Sequence, residues 1–151
     1  MRALVVYESR YGSTRDVASN IADGLRATHE VTVVPVAGAT AGLFAVADLL
    51  VVGSPAHRHG LSSGVHDLLS GLEGRHELAA AFDTRGNGMH AVTGRTSRGI
   101  GRLLKRHGYL LIASPESFLV TSQGTLPDNE AARARRWGAA LGIIATAAHA
   151  A

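Results

Sequence analysis

At 151 residues, with 46% hydrophobic and 18% charged side chains, the chain has the size and composition of one globular domain that closes around its own core. It contains no cysteine, which excludes a disulfide framework, a thiolate metal site and a cysteine nucleophile. Fifteen Lys and Arg against twelve Asp and Glu leave a formal charge of +3, and fourteen of the fifteen bases are arginine.

The first apolar run, Ala3-Leu4-Val5-Val6, is too short for a signal-peptide core. Its continuation, Leu4-Val5-Val6-Tyr7, predicts a strand buried on both faces, and residues 14–27 predict a helix with Val17, Ile21 and Leu25 on one side. Residues 31–36 alternate and carry Pro35, as a strand near a sheet edge would. Leu49-Leu50-Val51-Val52-Gly53 predicts a central strand, followed by a helix over 63–72 and a fourth strand over 78–82. A basic helix over 97–107 and a fifth strand over 109–113 come next, and Pro127-Asp128 starts the last helix. The alanine-rich stretch 139–151 falls short of the roughly 18–20 apolar residues of a membrane span. The expectation is a cytoplasmic protein with no membrane span.

Strands alternating with helices predict an α/β fold with a parallel sheet covered on both faces. Right-handed crossovers favour a doubly wound five-stranded sheet of order 2-1-3-4-5, as a single domain over residues 1–151. In such a sheet a ligand sits beyond the carboxyl ends of strands one and three, where the order reverses. Here those ends lead into the segments after Tyr7 and Gly53.

The segment after Tyr7 contains Ser9, Arg10, Tyr11, Gly12, Ser13 and Thr14 at the mouth of the first helix. Inward-pointing amides, a helix dipole and hydroxyl donors suit a phosphate, although a capped helix start explains Ser13 or Thr14 equally well. A Walker A loop is excluded, because no Gly-Lys-Ser/Thr follows.

The string Val5-Val6-Tyr7-x-Ser9-x-x-Gly12-x-Thr14-x-x-x-Ala18 resembles the flavodoxin signature at every defined position. The resemblance implies FMN as cofactor, its phosphate held by Ser9, Arg10, Tyr11, Gly12, Ser13 and Thr14. It continues in Ser54, Pro55, Ala56, His57, Arg58, His59 and Gly60, similar to the family's first isoalloxazine loop. A second such loop follows strand four, with Asp83, Thr84, Arg85, Gly86 and His90 as its cofactor-binding residues.

Many carriers of this family flank the flavin with tryptophan and tyrosine, whereas the matching positions here are His57 and His90, and the single tryptophan, Trp137, lies in the last helix. Histidine stacks less and can carry charge. With Arg58 and Arg85 it is expected to favour the anionic reduced flavin and raise its potential.

Other chemistries lack their partners. His57, His59 and His66 have no carboxylate or thiolate to complete a metal site, and Asp83 has no acidic cluster after strand one beyond Glu8. Ser9 and Ser54 lack the nucleophile-elbow glycines. No catalytic side chain and no metal ligand is therefore expected.

The group Arg95, Arg98, Arg102, Lys105 and Arg106 reads either as a solvated helix face or as a meeting place for an acidic surface. No aromatic residue is interleaved, which argues against nucleic acid. The function expected is electron carriage between a reductase and an acceptor protein. The alternative is an FMN-dependent oxidoreductase acting on a quinone or a porphyrinogen-type molecule. Because flavodoxins are usually acidic, a basic member implies a charge-reversed partner, a different one or none.

Overall fold

The computed structural model describes residues 1–56, 61–86 and 95–151. In chain order the elements are β1 (Arg2–Tyr7), α1 (Ser13–Leu25), β2 (Glu30–Pro35), α2 (Ala41–Val46), β3 (Leu49–Pro55), α3 (Ser63–Ser70), β4 (Leu78–Gly86), α4 (Arg95–Arg106), β5 (Leu110–Leu111), β6 (Glu116–Val120) and α5 (Asp128–Ala150). All strand pairs are parallel, in the order β2-β1-β3-β4-β5, with β6 also on β4. This is the doubly wound order expected from the sequence.

Period-two alternation in strands explains why the apolar runs are continuous. Ala3, Val5, Leu49, Val51, Ala80 and Phe82 face one side, where α1 and α5 cover them with Val17, Ile21, Leu25, Ala134 and Leu141. Leu4, Val6, Leu50, Val52, Ala79 and Ala81 face the other, against Val65 and Leu69 of α3 and Ile100 and Leu104 of α4. The α1–α5 contact is close enough that a Cβ on Gly138 would lie 2.1 Å from the carbonyl oxygen of Ile21. Glycine is required there by the space, not by backbone angle.

The fifth position of the sheet departs from the run read in the sequence. Of residues 109–113 only Leu110 and Leu111 pair with β4, at Leu78 and Ala79, and Ile112 adds one amide bond of 3.0 Å to the Ala79 carbonyl. Tyr109 is buried among residues of α3 and α4 instead. The chain rejoins β4 at Phe82↔Glu116 and continues to Gly86↔Val120. Ala80 and Ala81 of β4 are thus opposed by residues 112–115, a two-residue excess that bulges the edge. Pro115 has no N–H with which to continue a ladder, so the break falls before it.

The short helix α2 has no signal in the alanine-rich segment that forms it. Thr40 caps it, its hydroxyl accepting from the Leu43 amide at 3.4 Å. The other helices begin and end within two residues of their predicted limits, α1 starting at Ser13 rather than Thr14. The described residues include no helix long and apolar enough to cross a membrane.

Candidate functional site

Where β1 ends, its ladder with β3 continues for one more bond, from the Glu8 amide to the Gly53 carbonyl at 3.0 Å. The chain then turns through residues 9–12 into α1. Gly12, at φ +95°, occupies the left-handed region that a Cβ strains, and its amide donates to Ser9 Oγ at 2.9 Å. The Asp16 amide closes the first helical turn on the Gly12 carbonyl at 3.0 Å.

The amides of Ser9, Arg10, Tyr11, Ser13 and Thr14 have no acceptor among the described residues. A row of N–H groups at the N-terminus of a thirteen-residue helix places donors at the positive end of a dipole, an arrangement that suits an anion. A cleft of about 710 Å³ opens beside them, lined by Tyr7, Glu8, Ser9, Arg10, Tyr11, Gly12, Arg15 and the turn Pro35-Val36-Ala37. Tyr11 stands 87% exposed at its edge.

Thr14 has a different role from its neighbours in the loop. It is buried, and its Oγ1 shares a 2.7 Å hydrogen bond with Thr84 Oγ1 at the end of β4. One hydroxyl proton is used between the two, which leaves the second for another acceptor. The Thr84 carbonyl in turn accepts from the Ala56 amide at 2.7 Å. Residues from the ends of β1, β3 and β4 are therefore tied together, as expected of the sheet's carboxyl edge.

Ser54 is buried, with its hydroxyl donating to the Pro55 carbonyl at 3.1 Å. Asp83 is fully buried: one carboxylate oxygen accepts from the Ser97 amide at 2.8 Å, and the other from the Ser117 hydroxyl. It holds α4 and β6 to β4. Arg85 is partly buried, and its Nε and Nη1 are inaccessible to solvent and without an acceptor among the described residues. By strand alternation it follows Asp83 on the same face of β4, at the carboxyl edge of the sheet. His57, Arg58, His59, Gly60 and His90 lie outside the described residues.

Two clusters around the site carry no motif in the sequence. The Glu8 carboxylate accepts from the Ser62 hydroxyl, and Ser62 Oγ caps α3 by accepting from the Val65 amide at 3.4 Å. At the far edge, Arg133 of α5 bonds Glu130 at 2.8 Å, Glu116 at 2.7 Å and the Ser117 carbonyl at 2.5 Å, while its guanidinium lies 4.3 Å from the centre of the Phe118 ring. Glu130 closes the free edge of β6 by accepting from the Leu119 amide at 2.6 Å. The hydrogen bond from Arg133, with help from the Leu119 amide, holds the Glu130 carboxyl below the usual carboxylate range despite burial. An i,i+3 Glu-Arg pair was the only legible trace of this cluster.

The fold recurs in solved structures. A flavodoxin from the domain Archaea matches with a TM-score of 0.80 at 19% identity, over 97% of this chain and 99% of that one. Oxidised flavodoxin 2 from Bacillus cereus matches with a TM-score of 0.76 at 17% identity, over 97% and 98%. Rubredoxin oxygen:oxidoreductase from Desulfovibrio gigas contains the same fold, with a TM-score of 0.82 at 20% identity; the match spans 99% of this chain but only 37% of that larger one. No curated protein matches the sequence. The flavodoxin-domain family model matches residues 4–79, just over half of the chain and including the whole loop between β1 and α1. The chain belongs to the flavodoxin-domain family, and that membership implies a flavin cofactor.

Proposed function

We propose that this protein binds FMN and carries electrons between a reductase and an acceptor protein. The observation that supports the cofactor assignment is the set of five amides beside Gly12, which suit a terminal phosphate and have no acceptor among the described residues. Arg85 adds a second feature of fit, since two solvent-inaccessible guanidinium donors without an acceptor among the described residues are costly unless something accepts from them. A flavin carbonyl or ring nitrogen has the right chemistry.

In this reading Ser9, Arg10, Tyr11, Gly12, Ser13 and Thr14 hold the phosphate, and Ser54, Pro55, Ala56, Asp83, Thr84, Arg85 and Gly86 border the rest of the cofactor. His57, Arg58, His59, Gly60 and His90 complete the ring-facing loops on the strength of the family resemblance. Bound flavin supplies one- and two-electron transfer, and the protein supplies binding and electrostatics. Carriage is favoured over turnover of a small molecule by the use to which the nearby acids are put. Glu8 is engaged by Ser62, and Asp83 by Ser97 and Ser117. Each of these carboxylates accepts hydrogen bonds that hold the framework of the site together.

Purified protein titrated with FMN and with riboflavin tests the assignment. Binding of FMN at least about tenfold tighter than riboflavin is expected from the phosphate cradle; equal binding overturns it. Reductase-driven reduction of an acceptor haem protein supports carriage, whereas steady nicotinamide-dependent reduction of a quinone in place of that relay favours the enzyme reading.

A further inference from the structure

The helix α4 presents a face that the site does not use. Arg95, Arg98, Arg102, Lys105 and Arg106 are all exposed, and at about 100° per residue they fall within an arc of roughly 100°. Thr96, Ser97, Ile100, Gly101, Leu103 and Leu104 form the buried face opposite. The helix contains no acidic residue, and among the described residues none of the five cations forms an ion pair. A solvated helix normally interleaves both signs.

The rest of the chain is balanced the other way. Beyond these five, ten basic side chains stand against twelve acidic ones, so the positive excess of the molecule belongs to this one helix. Its position is defined by the Ser97 amide, which donates to Asp83 on β4 at 2.8 Å, two residues before Arg85. The cationic stripe thus starts at the carboxyl edge of the sheet, where the flavin loops emerge, and runs about 16 Å away from it.

A groove accompanies the stripe. Arg98, Arg102 and Lys105 flank a depression of about 230 Å³ floored by Gly101, Leu111 and Pro115. The bulge at residues 112–115 brings Pro115 there, and the missing side chain of Gly101 keeps the floor open: a Cβ on it would stand 3.1 Å from Leu111 Cδ1 and 3.4 Å from Pro115 Cγ. An apolar floor within a charged rim is the anatomy of a transient protein interface.

We propose that this α4 face docks an acidic surface of the electron partner, with an apolar partner side chain seated on Leu111 and Pro115. Carboxylates around the partner's redox centre would meet Arg98, Arg102 and Lys105, steering encounter and bringing that centre to the flavin end of the stripe. The inference rests on the carrier reading and adds to it the sign and place of the contact. It also gives a structural reason for the basic balance of the chain.

The test uses FMN-loaded protein reduced with dithionite and mixed with one of two ferric haem proteins, acidic cytochrome b5 or basic cytochrome c. Each ferric haem takes one electron from the reduced flavin and becomes ferrous, a change followed by stopped-flow absorbance. The rate with cytochrome b5 is expected to fall as NaCl is raised, and the rate with cytochrome c to stay flat or rise. The triple variant Arg98→Gln, Arg102→Gln, Lys105→Gln should slow reduction of cytochrome b5 at low salt by about tenfold or more, while leaving FMN affinity and the cytochrome c rate at or above the wild-type values. A control that neutralises three cations on the other side of the sheet, Arg26→Gln just after α1 and Arg135→Gln and Arg136→Gln on α5, should have a much smaller effect.

An unchanged cytochrome b5 rate and salt dependence in the α4 variant overturns the inference, as does an equal loss in the control. Tight binding of fluorescent oligo-dT that depends on the three α4 cations, with no change at cytochrome b5, assigns the face to nucleic acid and also overturns it. Failure of the carrier reading is separate: the wild-type protein would then bind FMN but reduce neither haem protein.

Discussion

Gly12 and Arg85 are the single residues on which the proposed flavin site is most directly tested. Alanine at Gly12 would sit at φ +95°, a strain of about 1–2 kcal/mol in the left-handed region. For a domain of this size that lowers Tm by roughly 2–8 °C, and tilting the amides away from a common point should weaken FMN by about tenfold. Calorimetry and flavin-fluorescence titration check the two halves separately; a stable variant with wild-type affinity would remove Gly12 from the cradle. If Arg85 faces the flavin as proposed, Arg85→Met should make the reduction potential more negative, because the reduced flavin is the more anionic form. Arg85→Lys should recover part of the change, and equal potentials in all three proteins would show that the guanidinium does not face the cofactor. His29, at a strand start on the opposite edge of the sheet, has no such role: burial lowers its pKa, and Thr28 Oγ1 lies 2.7 Å from its Nδ1.

Elements are held in place by glycine contacts and by one ionic cluster. The 2.1 Å approach of a Cβ at Gly138 to the Ile21 carbonyl means that Gly138→Ala must push α5 off α1, at a cost of about 1–3 kcal/mol measurable in urea unfolding. Glu130 seals the outer edge of β6 and pairs with Arg133, so Glu130→Gln should lower stability at neutral pH by about 1–3 kcal/mol. The sign of its pH dependence follows from the depressed carboxyl. The unfolded chain takes up a proton first, so the stabilisation is complete above the ordinary carboxylate pKa and disappears as pH falls through the lower folded value. Wild type and variant should therefore converge in Tm on acidification; a gap that persists at low pH would mean that the contact is not ionic. The broken fifth position of the sheet belongs to this scale too. Two β4 residues oppose four, the pairing lapsing after Leu111 and resuming at Glu116 beyond Pro115, so the apolar run at 109–113 does not form a single strand.

For the molecule as a whole, the proposed flavin site links binding to folding, since only the folded chain brings the ends of β1, β3 and β4 together. FMN at about one hundred times its Kd should stabilise the protein by about 2.7 kcal/mol, and riboflavin at the same concentration by much less. A thermal shift that is identical for the two ligands would count against the phosphate cradle. The sequence by itself determined the parallel α/β sheet and its order, because buried strands are continuous apolar runs and amphipathic helices repeat every three to four residues. The turn from Ser9 to Thr14 into α1 was legible in the sequence too, because its parts are adjacent along the chain and its shape depends on local backbone geometry at Gly12. What it left open was whatever depends on distant partners. Thr14 meets Thr84 across 70 residues and Glu8 meets Ser62 across 54; neither pair leaves a periodic or local trace. The burial of Asp83 under α4, the second segment of the fifth strand and the groove beside the cationic stripe of α4 likewise came from tertiary structure alone. Packing decides which of several equally polar side chains is spent on the fold and which is left facing outward for a ligand or a partner.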